Sequence, residues 1–327
     1  MFDALLLTRR DKQTIATLER LPLDRLPPGD ALVRVEYSSL NFKDALAVTG
    51  RGAIVRTWPL VPGIDLAGVV EHSDDPRWQP GDRVVVNGWG MGETDWGGFS
   101  QVARLSADWL LGLPEPYTTR QAMAVGTAGF TAALCVMALR RHGLQPGDGE
   151  ILVTGASGGV GSVAVALLAG LGYRVTASTG RPHEADYLTS LGAAHIVDRA
   201  TLSSPSKPLQ SERWAGVVDA VGSHTLANAC SATRWNGAVA ACGLAQGSDF
   251  PATVMPFILR GITLYGINCV FIPNDRRAEA WALLAEHVRP DLLDRMTTQI
   301  ALSDIVAKSV DLLEGRVRGR TVVDVNR

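Results

Sequence analysis

Apolar and polar positions alternate with a period of about two through the first third of the chain, the pattern of half-buried strands. Residues 30–40 (DALVRVEYSSL) read as one strand. Residues 66–73 (LAGVVEHS) and 81–88 (GDRVVVNG) are β-branched runs bounded by Gly, Pro and Asp, and 97–106 (GGFSQVARLS) continues the pattern. Near residue 120 the period changes. Residues 119–143 are Ala- and Leu-rich and helical, interrupted at Gly126 and Gly129. Strand patterns then recur at 150–155, 174–179, 194–198, 215–222, 237–243 and 262–268, mostly with helical patterns between them, among them 159–172. Such alternation predicts an α/β chain with a doubly wound parallel sheet, helices covering both faces. Amphipathic helices at 275–288 and 302–315 and a strand at 320–325 close the sequence. The polar, Pro- and Ser-rich stretch 201–213 reads as a surface loop.

Bulk properties narrow the picture. A chain of 327 residues exceeds what one core usually organises, so two domains are expected. A formal net charge of −2 gives no general attraction to nucleic acid or to an anionic membrane. Cys135, Cys230, Cys242 and Cys269 are far apart in sequence, form no C-x-x-C pair and have no histidine at ligand spacing. They read as small buried hydrophobes in a reducing compartment. The N-terminus lacks the features of a signal peptide, and no unbroken apolar run reaches the ~18 residues of a membrane span. The expectation is a soluble cytoplasmic protein.

The segment ILVTGASGGVGS places Gly155, Gly158, Gly159 and Gly161 between a predicted strand and a predicted helix. A dinucleotide turn needs glycine where the backbone approaches a pyrophosphate and where helix packs on strand. Exposed amides and the positive helix end then hold the phosphates. Ala156 stands where the usual fingerprint has its first glycine. We expect Ser157, Gly158, Gly159 and Val160 to bind the cofactor. The next strand ends in Ser178, Thr179, Gly180 and Arg181, without the acid that accepts a ribose 2′-hydroxyl in NAD enzymes. Hydroxyls and a guanidinium suit a 2′-phosphate, so NADPH is expected. Arg199, after the third strand, flanks the adenine, adds a second charge, or is an ordinary solvated arginine.

These residues, with PGIDLAGVV (62–70), GDRVV (81–85), WGGFSQ (96–101) and GTAGFTA (126–132), resemble the medium-chain dehydrogenase/reductase superfamily over essentially the whole chain. The resemblance implies a GroES-like β-rich catalytic domain at 1–121 and 269–327, with a Rossmann domain at 122–268. Zinc-dependent members have a cysteine at or near Asn41 and Gly-His-Glu where Gly63-Ile64-Asp65 stands, so the chain looks like a zinc-free, quinone-oxidoreductase-like member with no metal site. SSLNFKDALAVTGRG, WAGVVDAVG, VAACGLA and TVMPFILRGITLYGI are closer still to the bacterial acryloyl-CoA reductases. That subgroup reduces the 2,3 double bond of acryloyl-CoA to propanoyl-CoA with NADPH, the thioester itself activating the β-carbon for hydride. Phe42 departs from the tyrosine expected there.

The stretch 38–46 (SSLNFKDAL) leaves the strand 30–40 for a polar loop with an amide, an ammonium and a carboxylate within four residues. Asn41 is a candidate for orienting the nicotinamide or the substrate carbonyl, or else it ties down a turn. Asp44 is the second catalytic candidate, and Lys43 and Asp44 are expected to pair locally. By resemblance Phe42, Thr127, Leu244, Ile258 and Asn268 lie about the nicotinamide half of the cofactor. Arg51 with Arg56, or Arg276 with Arg277, are candidates for the phosphates of an acyl-CoA thioester. The apolar edge at 253–270 implies a homodimer. Two other readings remain open: a broad NADPH quinone or enone reductase, and an NADPH-binding sensor or structural protein with little turnover.

Overall fold

The computed structural model describes residues 1–327. Strand β1 (Phe2–Arg10) turns at once into β2 (Gln13–Leu21), with Phe2 opposite Leu21 and Arg10 opposite Gln13. Asp11 and Lys12 take φ of 49° and 66°, the backbone twist that a two-residue hairpin requires. The sequence pattern does not announce this hairpin, because Asp-Lys lacks the glycine that usually marks such a turn. Next come β3 (Ala31–Ser39), helix α1 (Phe42–Thr49), β4 (Asp65–Ser73), β5 (Arg83–Asn87), β6 (Val102–Leu105) and β7 (Leu111–Gly112). The strand expected at 30–40 is β3, and the loop expected after it is instead helix α1, closed at Gly50 with φ 65°.

Helix α2 (Thr119–His142) breaks at Gly126, whose φ of 51° and ψ of −163° only glycine adopts readily. It is long and apolar enough to cross a membrane, with a mean hydropathy of 1.9, although no unbroken apolar run exists. Of that apolar window 89% is buried inside the protein, so it is a core helix. Then follow β8 (Glu150–Val153), α3 (Gly159–Gly170), β9 (Arg174–Thr179), α4 (Ala185–Ser190), β10 (His195–Asp198), β11 (Trp214–Asp219), α5 (Ser223–Ala232), β12 (Thr233–Ala241), α6 (Met255–Arg260) and β13 (Thr263–Gly266). The chain ends with α7 (Asn274–His287), α8 (Pro290–Arg295), β14 (Thr297–Ala301), α9 (Ile305–Leu313) and β15 (Arg320–Asp324).

Two compact units result. The first comprises Met1–Thr127, Val270–Ala278 and Leu293–Arg327, the second Ala128–Cys269 and Glu279–Leu292. The first unit is built on a seven-stranded sheet in the order β14-β15-β3-β4-β5-β7, with β6 also paired to β3. All its pairings are antiparallel except β14 with β15. Val33, Val35, Leu66, Val84, Val86, Phe99 and Val323 fill its core. The second unit holds a six-stranded parallel sheet in the order β10-β9-β8-β11-β12-β13. Its strands are apolar runs because both faces are covered. The chain reverses direction across the sheet between β8 and β11, which opens a crevice beyond their carboxyl ends.

Candidate active site

In the first unit, polar residues from four elements, β3, α1 at its N-cap, β5 and α2, converge on one carboxylate. Asp65 opens β4 and is fully buried. Its Oδ2 accepts Ser39 Oγ at 2.5 Å, Asn41 Nδ2 at 2.8 Å and the Thr127 amide at 2.8 Å. Its Oδ1 accepts Asn87 Nδ2 at 2.6 Å and Thr127 Oγ1 at 2.5 Å. Arg320, which opens β15 and is 2% exposed, closes the network. It donates to Ala124 O at 2.7 Å, to Ser39 Oγ at 3.0 Å and to Asn41 Oδ1 at 3.3 Å. Gly126 lies against the centre of this cluster. A Cβ there would stand 2.5 Å from Arg320 Nη2, 2.7 Å from Ser39 Oγ and 2.8 Å from Asp65 Oδ2.

Asn41 is the N-cap of α1 and Asp44 its third residue. Asp44 Oδ2 accepts the Asn41 amide at 2.8 Å and Asn41 Nδ2 at 3.1 Å, and Oδ1 accepts the Ile64 amide at 2.9 Å. This is the returning half of a capping box. Burial, and then the nearby Asp65 charge, push the Asp44 carboxyl up to about 7, while the three donors pull the other way. Asn41 is thus held on both sides, with its Nδ2 shared between two carboxylates. Lys43 does not pair with Asp44, contrary to expectation. It bonds Glu93 at 2.8 Å, because consecutive helical residues point in different directions and only Asp44 faces inward. Phe42, in the same first turn, is 44% exposed.

Neither Ser39 nor Asn87 nor Arg320 stands out in the sequence. The available signal was polarity at the ends of apolar runs: SS after β3, N after VVV, R before TVVDV. Arg277 was a candidate for substrate phosphates, and the structure corrects this. It is 3% exposed and donates to the carbonyls of Asn87, Val270 and Ile272, with its guanidinium 4.3 Å over the Trp89 ring. Those carbonyls have captured its donors, leaving exposed Arg276 alone of that pair. Arg51 and Arg56 are both exposed.

In the second unit the glycine turn follows β8. Gly155 takes φ 58°, and a Cβ on Gly161 would meet Gly155 O at 2.4 Å, so helix and strand touch backbone to backbone. Gly158 is the N-cap of α3, which leaves Gly159 and Val160 in the first turn, where amides lack helical acceptors. The end of β9 folds onto this turn. Ser157 Oγ lies 3.1 Å from Thr179 Oγ1, and Arg181 Nη2 donates to Ser157 Oγ at 2.8 Å and to Ser157 O at 3.0 Å. Ser178 Oγ is buried without a partner. A Cβ on Gly180 would fall 2.2 Å from Arg199 Nε, so two guanidinium-bearing side chains flank the Ser-Thr-Gly strand end. Leu244 (60% exposed) follows β12, Ile258 (73% exposed) lies on α6, and exposed Asn268 follows β13.

Asp219 escaped the sequence reading, though it is the lone acid ending the apolar run WAGVVD. Its carboxylate accepts Thr154 Oγ1 at 2.7 Å and the Gly222 amide at 2.8 Å. It therefore ties the loop after β11 to the residue before the glycine turn. Burial pushes its carboxyl up from the ordinary aspartate range.

Comparison with known proteins places these features in a family. The alcohol dehydrogenase GroES-like domain family matches residues 27–115, and the zinc-binding dehydrogenase family matches 159–286. The chain is 54% identical to the acrylyl-CoA reductase AcuI of Ruegeria pomeroyi, over 100% of both chains. The solved YhdH oxidoreductase from Salmonella enterica, in complex with NADP, is 49% identical with a TM-score of 0.96, covering 98% of this chain and 99% of that one. The Bacillus subtilis protein YhfP, solved with NAD bound, is 41% identical with a TM-score of 0.95, covering 99% of each chain.

Proposed function

We propose, from the premise that the chain belongs to the medium-chain dehydrogenase/reductase superfamily, that it is an NADPH-dependent reductase converting acryloyl-CoA to propanoyl-CoA. The observation that carries this reading is the 54% identity to an acrylyl-CoA reductase across the full length of both chains. The second unit fits the cofactor. The hydroxyls at the end of β9, with Arg181 and Arg199 beside them, match a 2′-phosphate, and the turn Ser157–Val160 offers amides to a pyrophosphate. When bound, the cofactor supplies the hydride that the β-carbon of the enoyl thioester accepts.

The chain's own residues bind and orient. Family resemblance assigns Phe42, Thr127, Leu244, Ile258 and Asn268 to the nicotinamide half, and the side chains of Phe42, Leu244 and Ile258 are each exposed. Asn41 and Asp44 are positioning residues in this reading. Asp44 holds the amide and side chain of Asn41, and Asn41 fixes the start of α1 and with it Phe42. The α-carbon takes its proton from water. The family's zinc does not fit. Asp65 stands where zinc members carry a ligand, and its carboxylate is filled by five donors. No group of three or more His, Cys, Asp or Glu side chains could hold a metal ion. The enzyme is proposed to be a cytoplasmic homodimer. Support comes from the open edge of β13 and the exposed Val254, Ile258 and Leu259 beside it.

The test is NADPH oxidation with acryloyl-CoA and crotonyl-CoA side by side. Turnover with acryloyl-CoA is expected. The resemblance to YhfP, called a putative quinone oxidoreductase, supports a second reading as a quinone or enone reductase. Oxidation driven by free quinones or enones and not by either CoA ester would favour it. Binding of NADPH without any substrate-dependent oxidation would leave the sensor reading instead.

A further inference from the structure

The sheet edge opposite the glycine turn carries a second concentration of charge. Glu150 opens β8, Arg174 opens β9 and His195 opens β10, while Arg213 precedes β11 and Arg234 is the second residue of β12. In the sheet order β10-β9-β8-β11-β12 they form one row: His195, Arg174, Glu150, Arg213, Arg234. All five line a cavity of about 770 Å³. It lies at the amino ends of the strands, whereas the glycine turn follows the carboxyl end of β8, so the two are separated by the strand's length, roughly 13 Å for four residues.

The acids of this edge are already engaged. Glu150 Oε2 accepts Thr176 Oγ1 at 2.7 Å, and its Oε1 lies 3.4 Å from both Arg174 Nε and His195 Nε2. Glu212, also lining the cavity, accepts the Trp235 amide at 2.8 Å and lies 3.6 Å from Arg260 Nε. Arg213 and Arg234 face no carboxylate, yet neither hangs loose. The Arg213 guanidinium lies 4.1 Å over the ring of buried Trp214, and Arg234 Nη1 donates to Asp148 O at 3.1 Å. Gly149 makes the second anchor possible: a Cβ there would fall 2.4 Å from Arg234 Nη1, and its φ is 143°. Stacking and one carbonyl thus orient two guanidiniums while most of their N–H groups stay unused. Planar, pre-oriented guanidiniums match phosphoryl oxygens, and the open depression they line leaves them reachable from solvent.

We infer that this edge binds a phosphate-bearing small molecule, its phosphoryl group held by Arg213 and Arg234, at a site separate from the cofactor crevice. The inference does not rest on the proposed reaction. Inorganic pyrophosphate is the probe, titrated calorimetrically into the full chain at low ionic strength, with and without saturating NADP. Saturable binding of one pyrophosphate per chain that survives NADP is expected, and it should also survive Arg181→Ala. The double variant Arg213→Ala/Arg234→Ala should weaken it at least tenfold. Should that variant fail to fold, Arg213→Gln and Arg234→Gln singly should each weaken binding threefold or more. Absence of binding would overturn the inference. So would binding abolished by NADP or by Arg181→Ala, or binding indifferent to the loss of both arginines. The reaction itself could fail its own assay without changing any of these outcomes.

Discussion

The two polar centres are organised in opposite ways. In the first unit, side chains satisfy side chains: five donors end on Asp65, four more bonds tie Arg320 to its surroundings, and the group is buried. In the second, the backbone does the work. A glycine turn brings amides to a helix end, and Ser157, Thr179 and Arg181 pack round it at the mouth of the sheet. A buried network holds a shape, because every member loses a partner if one moves. A helix N-terminus presents backbone amides that lack helical acceptors and so suit an anion. The first centre therefore depends on side chains from distant segments, the second on one turn and the strand end beside it.

The largest test of that contrast is Asp65→Ala. It strands five donors in a buried site, so a stability loss of about 3–5 kcal/mol is expected, read as a lower urea midpoint. A loss below about 1 kcal/mol would break the comparison. Asp44 sharpens it through pH. Its carboxyl is raised from 3.8 to about 7, so between these values the folded chain binds more protons than the unfolded one. The favourable contribution is complete below about pH 4, declines as pH rises to about 7, and is level above that. Asp44→Asn cannot ionise and should lack this slope, gaining on the wild type across that window in paired unfolding curves. Parallel curves would contradict a buried, raised carboxyl.

Arg181→Ala probes the second centre. The Michaelis constant for NADPH should rise about 10–100-fold, the worth of hydrogen bonds to a charged group, while that for NADH changes little. Equal changes would remove the 2′-phosphate assignment. Asn41→Ala loses a helix cap and should cost about 1–2 kcal/mol of stability. If Asn41 positions Phe42 for turnover, kcat falls while the NADPH Michaelis constant holds; unchanged kinetics would make it a cap alone. The smallest effect belongs to Lys43→Ala. Its bond to Glu93 is partly exposed, and less than about 1 kcal/mol is expected in chemical unfolding.

How far these features were readable differs between the units. The six parallel strands and the glycine turn follow from local signals: apolar runs, helical spacing and glycine at a strand end. The chemistry of the β9 terminus is equally local, since Ser178 to Arg181 are consecutive. The first unit was read less fully. Its opening hairpin depends on positive φ at Asp11 and Lys12, which neither residue type demands. Helix α1 is too short to signal itself, since eight residues give too little periodicity to recognise, even with Asn41 and Asp44 at capping spacing. Thr127 was expected only near the cofactor, yet its amide and hydroxyl both go to Asp65.

The alternation of elements, the dinucleotide turn and the preference for a phosphorylated ribose are each written in neighbouring residues and so can be read from the chain alone. That Ser39, Asn41, Asp65, Asn87, Thr127 and Arg320 share one network follows from the folded arrangement and from nothing local. Those residues are separated by up to 281 positions. Their hydrogen bonds exist because antiparallel pairing of β3 with β4 and β15 brings distant chain segments together. Local propensity carries no term for such a meeting.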